Sequence, residues 1–173
     1  MRPSLITTLR ARSTLVLAAL LLTGCGAWQS VKDTSSDAAR AVFITQVKQM
    51  HLVIEGRAEL NRDDRGVSLP IALRIYQLKD AKTFETATYA QLLNDADRVL
   101  KADALSRSDV VLGPNASVTL NAPMANDAQA VGVVAFFRDP ANAEWQLVIP
   151  KSQWKKTDPV KISLIGNKME RVQ

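Results

Sequence analysis

The sequence predicts a mainly β protein, two packed sheets forming a sandwich, with one helical insertion over about residues 81–103. Three observations carry this. Between Met50 and Leu60 the even positions hold Met50, Leu52, Ile54, Gly56, Ala58 and Leu60, while the odd ones include His51, Glu55, Arg57 and Glu59, the two-residue period of a half-buried strand. From Asp80 to Asp103 the period changes, and Tyr89, Leu92, Leu93, Ala96, Val99 and Leu100 fall on one helical face. After it, short apolar runs recur between turn formers, as in a sandwich.

Taken in chain order, the first element is a targeting segment. Arg2, Arg10 and Arg12 precede the apolar run Leu15 to Leu22, and no acid occurs before Asp33, which is the layout of a secretory signal over residues 1–24. The run is about half the roughly 20 residues a spanning helix needs. Cys25 closes Leu21-Leu22-Thr23-Gly24-Cys25, which resembles the bacterial lipobox, so Cys25 is expected to carry the acyl chains. At roughly 0.8 kcal/mol per buried CH₂, two chains make a stable anchor. The resemblance further implies, through Gly26 in place of an inner-membrane-retaining aspartate, an address at the outer membrane, facing the periplasm.

The chain has 173 residues and a formal charge of +5, but losing the three arginines of the signal lowers this to +2. Nucleic-acid binding then has little electrostatic support. Cys25 is the only cysteine, which excludes an internal disulfide and a cysteine zinc site. From Cys25 to about Ala41 the sequence is small and polar, with Trp28 and Val31 as its bulky apolar residues, and reads as a flexible tether. At 3.3 to 3.6 Å per residue it reaches at most about 55 Å. Residues 42–173 form a single domain of a size that buries its own core.

In that domain the first strand runs to Leu60. The polar loop Asn61-Arg62-Asp63-Asp64-Arg65-Gly66-Val67-Ser68 follows, and a second strand carries Leu69, Ile71, Leu73 and Ile75 on one face. The loop exceeds the two to five residues of a common hairpin, so something besides chain reversal is expected to have selected it. In the insertion, Thr88 and Gln91 have the spacing of a capping box, which places a helix start there. Further strands are expected at Asp109–Leu112, Ser117–Asn121, Val131–Arg138, Glu144–Ile149 and Val160–Ile165, seven in all. The run Val131 to Phe137 lacks alternation, as a central strand covered on both faces does, with the insertion on one side.

Chemistry is sparse. There is no HExxH, P-loop, serine elbow or dinucleotide glycine pattern, and His51 is the only histidine, so no catalytic residue and no metal site is expected. Asp63 and Asp64 lie beside Arg62 and Arg65 and read as a solvated, self-neutralising loop in preference to a calcium site, while Asp95 and Asp97 are expected to face water. The residues favour a lipid-anchored binding module acting through loops on a rigid scaffold. The alternative is a generic periplasmic lipoprotein that binds a small ligand or glycan at the open end of the sandwich.

The run Pro70-Ile71-Ala72-Leu73-Arg74-Ile75-Tyr76-Gln77-Leu78 resembles the outer-membrane lipoprotein of the type VI secretion system membrane complex, the TssJ/SciN-like family. Leu60-Asn61 before a polar loop, Phe84 with Tyr89-Ala90-Gln91-Leu92-Leu93, and Val131 to Arg138 followed by Trp145 fit the same family in the same order. The resemblance implies a transthyretin-like sandwich and a structural role, with no cofactor beyond the acyl chains on Cys25 and no small-molecule substrate. It also implies a partner, the periplasmic C-terminal domain of the large inner-membrane subunit. Contact is expected mainly through the loop between the first two strands, which here is Asn61 to Ser68.

Overall fold

The computed structural model describes residues 47–172. The signal, Cys25, the tether with Trp28 and the first residues of the expected domain lie outside the described residues. Within them are eight strands: β1 Gln49–Gly56, β2 Ile71–Leu78, β3 Ala104–Leu112, β4 Ser117–Pro123, β5 Ala130–Ala135, β6 Gln146–Pro150, β7 Val160–Ile165 and β8 Lys168–Val172. They form two four-stranded sheets in the orders β4-β1-β7-β8 and β3-β2-β5-β6. β1 and β7 run parallel, and every other pair is antiparallel.

The two-residue period puts one face of each sheet inward. Leu52, Ile54, Ile162 and Leu164 from one sheet meet Leu73, Ile75, Val131 and Val133 from the other, all at 1% exposure or less. Such packing is the main stabilising term of the domain, at roughly 1.5–3 kcal/mol for each fully buried large aliphatic side chain. Among the described residues no helix is long and apolar enough to cross a membrane.

Several boundaries differ from expectation, and one strand is additional. β1 stops at Gly56, not Leu60: the Gly56 amide to Ala116 and the Arg57 amide to Leu164 are its last bonds to the neighbouring strands, and the Leu60 amide already donates to the Arg57 carbonyl in a turn. A side chain on Gly56 would meet the Gly113 carbonyl oxygen at 2.5 Å, so only glycine fits this turn. Leu60 is buried from the loop and not from the strand, which explains why the alternation seemed to continue. β3 begins at Ala104, β5 ends at Ala135, and β8 is an eighth strand that the sequence reading missed. β8 is an edge strand with charged residues and a single buried side chain, Met169, so it has no apolar pattern to read.

The insertion is three short helices, α1 Lys82–Thr86, α2 Tyr89–Asn94 and α3 Ala96–Val99, not one. The capping box forms as expected: the Gln91 amide donates to Thr88 Oγ1, and the Thr88 amide donates to Gln91 Oε1 at 2.8 Å. The break after Asn94 coincides with contacts from β2. Arg74 Nη1 donates to the Leu92 and Leu93 carbonyls at 2.8 and 3.1 Å, taking acceptors that a continuing helix would use. Leu93 is left 40% exposed instead of facing the sheet.

β5 is central and all six of its residues are buried. Val131, Val133 and Ala135 face the opposite sheet, while Val134 joins Tyr76, Phe84, Leu92 and Leu100 beneath the insertion. Gly132 is what admits Phe84, since a Cβ there would lie 2.9 Å from the phenylalanine ring.

Candidate functional site

β1 and β2 belong to different sheets, so residues 57–70 cross from one sheet to the other. Face-packed sheets lie about 10 Å apart, which a two-residue turn cannot span. The crossing rules out a two-residue hairpin turn, but residues 113–116 make the same crossing between β3 and β4, so residues 57–70 are longer than the crossing alone requires. The loop lies at the same end of the sandwich as the β3–β4 turn, the segment 136–145 and the β7–β8 turn, and it is bonded to each. Gly56, at its start, donates to Ala116, the Asn61 amide donates to the Gly166 carbonyl at 2.8 Å, and the Arg138 amide donates to Asn61 Oδ1 at 2.9 Å. The chain enters β1 at Gln49, at the opposite end.

The eight candidate residues divide into a foot and a tip. Asn61 is buried, has φ +47° and donates from Nδ2 to the Pro70 carbonyl at 3.1 Å, so one side chain ties both ends of the loop to the segment after β5. Asparagine suits this place because it tolerates the left-handed backbone and can donate and accept at once. Ser68 Oγ donates to the Ala58 carbonyl at 2.6 Å and closes the crossing on itself.

Asp63 shapes the tip. Its Oδ1 accepts the Arg65 and Val67 amides, each at 2.9 Å, and its Oδ2 accepts Arg65 Nε and Nη2 at 3.1 and 3.0 Å. These bonds hold its carboxyl below the usual carboxylate value, with the Val67 amide as the largest cause. Both oxygens are occupied by N–H donors, which argues against a cation there. Gly66 takes the turn at φ +79°.

Arg62, Asp64, Arg65 and Val67 face outward. The self-neutralisation expected for this loop holds for Asp63 with Arg65 only. Asp64 pairs with Arg138 at 2.6 Å, outside the loop, and Arg62 has no ion-pair partner among the described residues. Arg138 is the contributor that the sequence reading missed as part of the site, because a partner so distant in the chain leaves no local signal.

The remaining polar candidates lie elsewhere. His51 Nδ1 is 2.9 Å from Asp158 Oδ1 in an exposed pair on the flank of β1. Asp95 pairs with Arg98 and Asp97 with Arg107, both at the surface of the insertion. No group of three or more His, Cys, Asp or Glu suited to a metal occurs among the described residues. The loop end of the sandwich is filled by Leu60, Ile71, Leu112 and Phe137, all buried, where a ligand-binding mouth would have to open.

A family model described as type VI secretion lipoprotein, VasD, EvfM, TssJ matches residues 48–167, nearly all of this sandwich. The chain belongs to that family. Type VI secretion lipoproteins are structural components, and solved relatives share this lipoprotein's transthyretin-like architecture. A chain of a structure described as the type VI membrane complex is 32% identical, with TM-score 0.70, over 74% of this chain and 100% of that one. A chain of a structure described as the T6SS protein TssM C-terminal domain from EAEC is 30% identical, with TM-score 0.66, over 73% and 99%. The T6SS lipoprotein TssJ1 from Pseudomonas aeruginosa is 22% identical, with TM-score 0.65, over 72% and 95%. No curated protein matches the chain.

Proposed function

We propose that this type VI secretion lipoprotein tethers the membrane complex to the outer membrane. In this reading the acyl chains on Cys25 hold it in the outer membrane, facing the periplasm. The loop Asn61 to Ser68 binds the periplasmic C-terminal domain of the large inner-membrane subunit, and the protein is a scaffold without catalytic activity. The observation that carries the reading is the polarity of the sandwich. The segment bearing Cys25 joins β1 at Gln49, and the candidate loop leaves β1 at Gly56. The eight-residue strand between them spans on the order of 25 Å, so the chain enters the sandwich at one end and presents the candidate loop at the other. The likeness to a chain of the structure described as the TssM C-terminal domain supports TssM as the subunit bound.

Calorimetry of the acyl-free domain, Gly26 to Gln173, against that periplasmic domain tests the reading. Saturable one-to-one binding, lost when Asn61 to Val67 is shortened to a tight turn, is the expected result. Absence of binding at high concentration would return the protein to the ligand-binding alternative. Cys25→Ala should leave the fold intact and move the protein out of the outer-membrane fraction.

A further inference from the structure

Beside the loop lies a groove of about 280 Å³ between α2 and the outer face of β2 and β3, with Ala72, Leu93, Val111 and Phe136 as its apolar lining and Arg74 and Asp109 at its polar edge. Leu93 and Val111 are 40% and 69% exposed. The groove is continuous with the candidate site. The Phe136 amide donates to the Ala72 carbonyl at 2.9 Å, and two residues on, Arg138 donates to Asn61 and pairs with Asp64. One stretch of chain therefore forms both the floor of the groove and the foot of the loop.

The loop tip presents Arg62, Asp64 and Arg65 with a single exposed apolar side chain, Val67. Exposed charges steer encounter and set specificity but contribute little to affinity. Affinity in protein interfaces concentrates in apolar pockets enclosed by a polar rim. We infer that this groove is the affinity-bearing half of the docking surface, taking one or two apolar side chains of the same periplasmic domain that the loop contacts. The inference rests on the proposed function.

The experiment is calorimetry of Gly26 to Gln173 against the periplasmic domain, with variants Val111→Asp and Leu93→Ser. Leu105→Asp, on the same strand and 40% exposed but outside the groove, is the control. Circular dichroism and thermal melting establish that each variant is folded. Val111→Asp should raise Kd at least tenfold and Leu93→Ser severalfold, with Leu105→Asp unchanged. A Val111→Asp domain that binds within twofold of wild type, while the shortened loop does not bind, would overturn the groove and leave the proposed function standing. An equal loss for Leu105→Asp would also overturn it, by showing a general charge effect. Wild-type protein that fails to bind would remove both readings.

Discussion

Two long connections flank β2, and they are held in opposite ways. Residues 79–103, which follow it, lie on the outer face of their own sheet and bury Phe84, Leu92, Ala96 and Leu100. Residues 57–70, which precede it, cross between sheets and bury Leu60, but their shape comes from Asn61, Asp63 and Ser68 bonding to backbone. One connection is fixed by apolar area and the other by directed polar bonds. Apolar area is worth more per residue and is indifferent to pH, whereas the polar clamp is worth less and depends on a charge. The insertion is thus built as a permanent layer, and the loop as a shaped surface with its side chains presented to a partner.

Removing the anchor of each connection tests this contrast. Phe84→Ala empties a fully buried site packed on Tyr76 at a 6.0 Å centroid distance and on Gly132, and should cost about 3–5 kcal/mol in urea unfolding. Gly132→Ala acts on the same layer from below, because its new methyl would lie 2.9 Å from Leu78 Cδ1 and the Phe84 ring. Overpacking of this kind should cost roughly 1–3 kcal/mol, chiefly by lifting α1. Asn61→Ala removes the loop's clamp and leaves alanine at φ +47°, for roughly 1–2 kcal/mol, since the Arg138 amide and the Pro70 carbonyl lose their partner. A larger loss at Asn61 than at Phe84 would invert the comparison. Thr88→Ala, which removes only the cap of α2, should cost about 1 kcal/mol.

The same contrast governs how much was legible. The insertion announced itself because apolar residues at helical spacing and a capping box are local signals, and Val131 to Ala135 announced a doubly covered strand. Its division into three helices was not legible, because the Arg74 side chain that meets the last carbonyls of α2 comes from a different element. β8 was missed because only Met169 needs a core. For the loop, position and polarity were visible, but the roles were not. Nothing in Asn61-Arg62-Asp63-Asp64 distinguishes the two side chains that turn inward to hold backbone from the two that face solvent. That division depends on where Pro70, Val67 and Arg138 lie in space.

The sharpest difference between the two connections is their response to acid. The Asp63 carboxyl is held below its usual value of 3.8, first by the Val67 amide and further by Arg65. A group whose pKa is depressed by folding contributes stability that is fully present above the unfolded value and is lost as pH falls through the folded one. The tip should therefore keep its shape throughout the neutral range and loosen only below about pH 4. Amide resonances of Arg65 and Val67 should titrate with an apparent midpoint below 3.8, while that of Leu100, whose amide bonds the Ala96 carbonyl under the apolar layer, should not follow them. Asp63→Asn should abolish the titration at Arg65 and Val67 and leave Leu100 unchanged. A midpoint at or above 3.8 would mean that the carboxylate does not hold the tip, and that the loop's shape comes from Asn61, Gly66 and Ser68.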